Sequence, residues 1–170
     1  MAAGDSVAQA PTEDLVIERV FDAPRERVFE VFTKPEHLRR WWGPKMVTAI
    51  TIAEYDARPG GKVFLGERYP DGAVLYIAGV VREIDRPSHL VFAIHFANDK
   101  RERVAPPPRS GLGASWDGEI VSDITFTAEG RRTRVTIRTE QSGVTADWSE
   151  KARYGWAESL DKLEDALARD

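Results

Sequence analysis

The feature that most constrains this chain is a long amphipathic segment near its C-terminus, from Thr145 to Leu167. Its apolar side chains recur in steps of three and four residues, at Trp148, Ala152, Trp156, Leu160, Leu163 and Leu167. This spacing places them on one face of an α-helix, and charged residues fill the opposite face. A helix of about 20 residues is roughly 30 Å long, so it needs a broad apolar surface to cover. Asp147 and Glu150 resemble a capping box, which predicts a start between Ala146 and Trp148.

The segment from Leu15 to Phe21 is short, apolar and β-branched, and predicts a first strand. Two short helices are predicted after it. Pro24 suits the opening of the first, which ends near Thr33, and Pro35 opens the second. Gly43 and Pro44 end the second helix, because proline cannot continue the hydrogen-bond ladder.

From Met46 onward the apolar period changes to two, which predicts strands. Six runs show it: Met46 to Tyr55, Lys62 to Tyr69, Val74 to Ile84, His89 to Phe96, Glu119 to Thr127 and Thr133 to Glu140. Most of their connections are short and rich in Gly, Pro and Asp, which favours antiparallel neighbours. The sequence therefore predicts an α+β fold in which a curved seven-stranded antiparallel sheet wraps around the long C-terminal helix. A gap between helix and sheet would form an apolar cavity.

Alternation within the strands predicts which side chains face the helix. Leu90, Phe92, Ile94 and Phe96 share one side of their strand, as do Ile124 and Phe126 of a later one. Two runs, Lys62 to Tyr69 and Val74 to Ile84, carry apolar residues on both faces. For these runs we predict as inward Phe64, Tyr76, Ala78 and Val80.

One connection, Ala97 to Asp117, is long and contains the triplet Pro106-Pro107-Pro108. Long loops of this kind are usually lids, binding loops or disordered segments. The sequence leaves a lid and disorder equally open.

Composition excludes several classes of function. The 170 residues suit one domain, predicted at 15–168 after a flexible tail at 1–14. The net charge of −4 disfavours nucleic acid as a partner. The chain has no cysteine, shows no secretory signal and has no apolar run long enough to span a membrane, so we expect a cytoplasmic protein.

Several local motifs, in their order and spacing, resemble a known family. They are Phe21-Asp22-Ala23-Pro24, Pro35-Glu36-His37-Leu38, Arg40-Trp41-Trp42-Gly43-Pro44, Pro59-Gly60-Gly61-Lys62-Val63-Phe64, Leu90-Val91-Phe92 and Gly155-Trp156. The chain resembles homologues of the activator of the heat-shock-protein-90 ATPase, in the SRPBCC superfamily of START-like and birch-pollen-allergen-like proteins. The resemblance implies the helix-grip fold and, from the superfamily, a cavity that binds lipids, sterols, polyketides or hormones. The chain departs from the family in its enlarged 97–117 loop and in Ile94, where relatives often carry an aromatic residue.

Motifs for catalysis, metals and cofactors are missing from the sequence. The three histidines, His37, His89 and His95, have no metal-ligand spacing, and no serine lies in a nucleophile elbow. We therefore expect no metal and no cofactor. Four carboxylates fall on predicted strands: Glu67, Glu83, Glu119 and Asp123. A carboxylate turned into an apolar cavity would have a raised pKa and could act as an acid or a base.

The sequence favours the binding of a small apolar or aromatic ligand over catalysis. The predicted ligand-binding residues are Trp41, Trp42, Phe64, Tyr76, Phe92, Ile94, Phe126, Trp156 and Leu160. One alternative, from the resemblance alone, is a chaperone-cofactor module that acts on heat-shock protein 90. A second is an enzyme that uses a cavity carboxylate. Dimerisation through an outer strand face is also open. Gly155 either lets the helix approach the sheet or leaves room for a bound molecule.

Overall fold

The computed structural model describes residues 13–141 and 143–169. The tail predicted at 1–14 lies outside these residues except for Glu13 and Asp14. The described chain forms seven strands, three α-helices and one 3-10 turn. The strands are β1 (Leu15–Phe21), β2 (Ala49–Tyr55), β3 (Lys62–Arg68), β4 (Val74–Asp85), β5 (His89–Ala97), β6 (Ile120–Glu129) and β7 (Arg132–Thr139). The α-helices are α1 (Arg25–Thr33), α2 (Pro35–Trp41) and α3 (Ala146–Ala168), and the 3-10 turn is Pro108–Ser110.

The seven strands form one antiparallel sheet in the order β1-β7-β6-β5-β4-β3-β2. Neighbours in sequence are neighbours in the sheet, except that β1 pairs with β7 and so occupies the edge opposite β2. The sheet is curved and carries the helices on its concave face. This arrangement confirms the predicted α+β helix-grip architecture, with two short helices after the first strand.

The main core lies between the concave face of the sheet and the three helices. Its largest fully buried side chains include Phe21, Phe32, Trp41, Phe126 and Leu163. The Phe32 and Phe126 rings meet edge to face with centroids 5.1 Å apart, which joins α1 to β6. This aromatic contact anchors α1 on the sheet.

Helix α3 begins at Ala146, which lies within the range predicted from the sequence. Thr145 is the N-cap, and its Oγ1 accepts a hydrogen bond from the Trp148 N–H at 3.0 Å. The predicted capping box was therefore wrong, because Asp147 lies within the first turn and pairs with Lys151 at 3.2 Å. Trp148, Leu160 and Leu163 are buried, as the spacing predicts. The other three residues of the stripe are only half-buried: Ala152, Trp156 and Leu167.

The inward orientation predicted for Phe64, Tyr76, Ala78 and Val80 was wrong. Leu65 pairs with Ile77 across β3 and β4, and both belong to the main core. Their sequence neighbours therefore point to the outer face, where Phe64, Tyr76 and Ala78 form a separate small cluster with Ala97. Val80 also points outward and is 37 % exposed. The Arg101 guanidinium covers the Phe64 ring at 4.6 Å, which explains why this outer face is apolar too.

The long connection between β5 and β6 packs on the start of α3. Leu112 is buried in a small cluster with Phe96, Val144 and Trp148. Thr145 Oγ1 donates to the Gly111 carbonyl at 2.6 Å, and Gly111 adopts a φ of +77°. The connection is therefore an ordered, packed segment and not a disordered one, and its role as a lid stays a prediction.

Candidate functional site

A cavity of about 180 Å³ lies between the concave face of the sheet and α3. Its walls are mainly apolar. The lining residues are Trp41, Trp42, Gly43, Pro44, Glu67, Ile77, Phe92, Ile94, Ile120, Ser122, Ala152, Gly155, Trp156 and Ser159. An apolar cavity of about 150 Å³ is known to hold benzene. The space therefore suits a molecule of about one substituted ring.

The cavity exists because α3 presents small residues to the sheet at this level. A Cβ atom built on Gly155 meets nothing within 4 Å, so the glycine faces open space. Close packing of α3 on the sheet is therefore not the role of Gly155. Trp156 beside it stacks on Trp41, with centroids 6.5 Å apart and planes 26° apart.

The wall of the cavity includes one carboxylate, Glu67 on β3. Its side chain points to the inner face of the sheet, as do those of Val63 and Leu65, and the residue is 5 % exposed. One carboxylate oxygen accepts a hydrogen bond from Trp42 Nε1 at 2.8 Å, and the other accepts one from the Tyr69 hydroxyl at 2.9 Å. Burial raises the pKa of Glu67, and these two hydrogen bonds offset part of that rise. The carboxyl group is thus held in place at the cavity wall.

Two side chains of α3 fix the turn that carries Trp42. Lys162 Nζ donates to the Trp42 carbonyl at 3.0 Å, and Ser159 Oγ donates to the Gly43 carbonyl at 2.9 Å. Burial lowers the pKa of Lys162, while the charge of Glu67 opposes that shift. Gly43 has a φ of +81°, a conformation that favours glycine. These hydrogen bonds hold the end of α2 against α3, which positions the Trp42 indole to donate to Glu67.

A wider groove of about 980 Å³ runs outside the cavity along the first half of α3. Pro44, Ala152 and Gly155 line both spaces, so the groove adjoins the cavity at these residues. Two large apolar side chains on its walls are strongly exposed, Met46 at 57 % and Tyr154 at 68 %. These two side chains make part of the groove wall apolar.

Tyr69 and Arg109 stand at the boundary between the two spaces. Tyr69 lines the groove, while its hydroxyl reaches the cavity carboxylate of Glu67. The Arg109 guanidinium, from the 3-10 turn, lies 4.2 Å from the centre of the Tyr69 ring. Burial and the neighbouring carboxylate raise the pKa of the Tyr69 hydroxyl, so it stays protonated and donates to Glu67.

The structure brings five of the nine predicted ligand-binding residues to the cavity wall. These are Trp41, Trp42, Phe92, Ile94 and Trp156. Phe126 and Leu160 lie in the closed core, each 1 % exposed. Phe64 and Tyr76 lie on the outer face, where their rings stack at 5.8 Å. The ligand-binding role of all nine stays a prediction.

Sequence reasoning gave no special place to Glu67, which it grouped with three other strand carboxylates. Those three lie outside the cavity: Glu83 is exposed, Glu119 pairs with Arg82, and Asp123 contacts His89 at 2.7 Å. Glu67 could have been distinguished from the other three carboxylates by knowing which residues of β3 face the core. Once Val63 and Leu65 are known to face the core, alternation places Glu67 there as well.

His95 lies on the outer face of β5, opposite the cavity. Partial burial and the nearby charge of Arg103 lower its pKa. Among residues 13–141 and 143–169, no group of three or more His, Asp or Glu side chains could hold a metal ion. In the same part of the chain, every helix is too short or too polar to cross a membrane.

Comparison with solved structures shows many chains of the same fold. A protein from Chromobacterium violaceum is 23 % identical with a TM-score of 0.76, and the match covers 94 % of this chain and 100 % of that one. A protein from Arthrobacter aurescens gives the same identity and TM-score, with coverage of 97 % and 94 %. The AHSA1 protein of Silicibacter pomeroyi is 22 % identical with a TM-score of 0.72, with coverage of 91 % and 97 %. At these identities the likeness concerns the fold.

No match is found among curated proteins. Residues 22–168, however, match the family model described as Activator of Hsp90 ATPase homolog 1-like protein. That span includes all three α-helices, six of the seven strands and every residue that lines the cavity. The chain therefore belongs to the family of Activator of Hsp90 ATPase homolog 1-like proteins.

Proposed function

We propose that this protein binds a small apolar or aromatic molecule in the cavity between the sheet and α3. The observation that carries the proposal is the unfilled space of about 180 Å³ beside Gly155, walled by aromatic and aliphatic side chains. Close packing is the rule in protein interiors, so space of this size on an apolar wall is a feature of binding sites. Membership in the family supports a binding or cofactor-like role.

The composition of the cavity favours binding over catalysis. Among the described residues that line it, Glu67 is the one titratable side chain. General acid–base chemistry on a substrate commonly needs a second acid, base or nucleophile within hydrogen-bond reach. The nearest phenol, Tyr69, already donates to Glu67. An enzyme that uses Glu67 is thus the weaker hypothesis.

The proposal is tested with toluene as an apolar probe of one ring. Affinities for a ligand this small lie in about the micromolar to millimolar range, which sets the probe concentration. We expect toluene to raise the melting temperature of the wild type and to shift the NMR signals of Trp41 and Trp156. Gly155→Leu places a side chain into the cavity, so it should abolish both effects.

Gly155→Ala is the matched control, because one methyl group fills much less of the cavity. It should retain toluene binding, with an affinity reduced by a few-fold. Toluene binding that is absent in the wild type, or equally strong in Gly155→Leu, would refute the proposal. A broader apolar library, screened in the same way, then guides the search for the natural ligand.

A second candidate function is an interaction module for heat-shock protein 90. The family description names that ATPase, and the exposed Met46 and Tyr154 give the groove an apolar surface for a protein partner. Purified heat-shock protein 90 should then be retained by this protein and show a faster ATPase rate. The double variant Met46→Ser with Tyr154→Ser should lose both effects, and no effect of the wild type would exclude this function.

Three further expectations stay predictions. The first is a single domain at 15–168, and the second is a cytoplasmic location. The third is a homodimer formed through an outer strand face, which sedimentation of the purified protein would test.

A further inference from the structure

The environment of Glu67 indicates which small molecules the cavity accepts. An ionised carboxylate offers about four lone-pair positions for hydrogen bonds. The protein fills one on each oxygen, through Trp42 Nε1 and the Tyr69 hydroxyl. Acceptor capacity remains on a side chain that forms part of the cavity wall.

This carboxyl group cannot turn away to water. Glu67, Trp42 and Tyr69 are all buried, with exposed fractions of 5 %, 8 % and 7 %. Lys162 holds the backbone of Trp42 from α3, and Arg109 covers the Tyr69 ring from the 3-10 turn. A buried acceptor that is fixed in this way is stabilised by a donor that comes to it.

We infer that Glu67 selects small, mainly apolar ligands that carry one hydrogen-bond donor, a hydroxyl or a protonated amine, and rejects ligands that carry a carboxylate. This inference rests on the proposed binding function. The donor of the ligand points to Glu67, while its apolar body contacts the aromatic wall that includes Trp41, Phe92 and Trp156. Trp42 and Tyr69 act as positioning residues for the carboxyl group.

The rejection of carboxylates follows from the charges around the cavity. Two cations influence Glu67, Lys162 from α3 and Arg109 from the 3-10 turn. Neither lines the cavity. Lys162 Nζ already donates to the Trp42 carbonyl, and Arg109 lies over Tyr69. A second carboxylate in the cavity would therefore face Glu67 with no lysine or arginine among the described lining residues to pair with. Like charges repel strongly where water is excluded.

Four probes with the same ring separate these contributions: toluene, benzyl alcohol, benzylamine and benzoate. Affinities are measured by titration calorimetry or NMR on the wild type, Glu67→Gln and Glu67→Met, at several pH values between about 7 and about 9. The selection should strengthen as pH rises in this range, because burial raises the pKa of Glu67 and the carboxyl group must be ionised to attract the amine and repel benzoate. In the wild type, benzyl alcohol or benzylamine should bind about tenfold or more tightly than toluene, since a hydrogen bond to a charged group is among the stronger ones. Benzoate should bind more weakly than toluene. The alcohol and amine arms show which donor the site prefers.

The variants assign the preference to Glu67. Glu67→Gln removes the charge, so the advantage of benzylamine over toluene should shrink to within about threefold or reverse. The penalty on benzoate should become smaller, and what remains is the cost of removing its charge from water. Glu67→Met removes the acceptor, so the advantage of benzyl alcohol should disappear as well. Toluene affinity reports whether the cavity is intact in each variant. If Glu67→Met loses toluene binding, its cavity is not intact, and the comparison of wild type with Glu67→Gln then tests whether Glu67 causes the preference.

The outcomes separate this inference from the proposal on which it rests. Toluene binding without any advantage for the alcohol or the amine overturns the role of Glu67 and leaves the cavity as a binding site. An advantage that persists in Glu67→Gln and Glu67→Met also overturns it. Failure of all four probes to bind the wild type refutes the binding function itself.

Discussion

Two residues, Gly155 and Glu67, depart from what their positions in the fold would otherwise favour. Gly155 stands in the middle of a helix, where glycine costs about 0.5–1 kcal/mol relative to alanine. Glu67 places a carboxyl group on the inner face of a strand, where burial raises its pKa. Both face the same cavity. Local features that reduce stability and converge on one space are typical of functional sites.

Gly155→Ala should raise the free energy of unfolding by about 0.5–1 kcal/mol, because the new methyl group meets no atom and the helix gains a better helix former. Urea denaturation followed by circular dichroism measures the change. Ala152→Gly, one turn earlier on the same helix, is the reverse control and should lower stability by a similar amount. A loss of stability in Gly155→Ala would contradict the open space assigned to this position.

The stability of Glu67→Gln relative to wild type should depend on pH. Burial raises the pKa of Glu67 in the folded protein, so the folded state keeps that proton to a higher pH than the unfolded state. The contribution of Glu67 to stability is therefore present at low pH and is lost as pH rises above the ordinary glutamate range. Glutamine does not titrate. The free energy of unfolding of the variant, relative to that of the wild type, should therefore rise between about pH 4 and about pH 8.

Urea unfolding midpoints at both pH values measure this effect. Glu164→Gln removes one negative charge from an exposed position on α3 and controls for the change in net charge. The same trend in both variants would mean that burial of Glu67 has no part in it.

At the level of elements, the wall of the groove depends on how the 98–119 connection meets the start of α3. Gly111 makes this contact, since its carbonyl accepts from Thr145, the N-cap of the helix. A Cβ atom there would lie 2.5 Å from Asp147 Oδ2 and 3.0 Å from the Trp148 nitrogen. The connection, the cap and the first turn of α3 thus form one packed unit beside the groove.

Gly111→Ala should lower the free energy of unfolding by about 1–2 kcal/mol, because its φ of +77° disfavours a side chain and its Cβ collides with the first turn of α3. It should also speed proteolytic cleavage within the connection. Gly113→Ala, two residues later, meets no atom within 4 Å and should change stability by less than about 0.5 kcal/mol. Equal effects of the two substitutions would contradict the packed contact.

At the level of the whole molecule, α3 and the sheet share one core and should unfold together. Leu163 on α3 is fully buried among residues of the sheet and the short helices. Leu163→Ala should therefore cost about 2–5 kcal/mol, and tryptophan fluorescence and circular dichroism should report the same transition. Tyr154→Ala, on the exposed face of the same helix, should change stability by less than about 0.5 kcal/mol. Two separate transitions in the wild type would contradict a shared core.

The architecture could be predicted from the sequence because it depends on short-range patterns. Steps of three and four residues identify α3, a period of two identifies the strands, and short turns make them antiparallel. These patterns do not depend on which side chains come into contact in the folded protein. The orientation of β3 and β4 could not be predicted in the same way. Both faces of these strands are apolar, and on the outer face Arg101 covers the ring of Phe64. Alternation alone therefore does not show which face points to the helix.

The sequence by itself thus determined an antiparallel sheet, an amphipathic helix to cover it and a resemblance to the family. Only the tertiary structure decided that Gly155 faces open space and that Glu67 lines it with Trp42 and Tyr69 as partners. The physical reason is that a cavity is volume left between side chains from distant parts of the chain. Its size and polarity depend on how these side chains pack in three dimensions, and the periodicity of the sequence does not predict that packing.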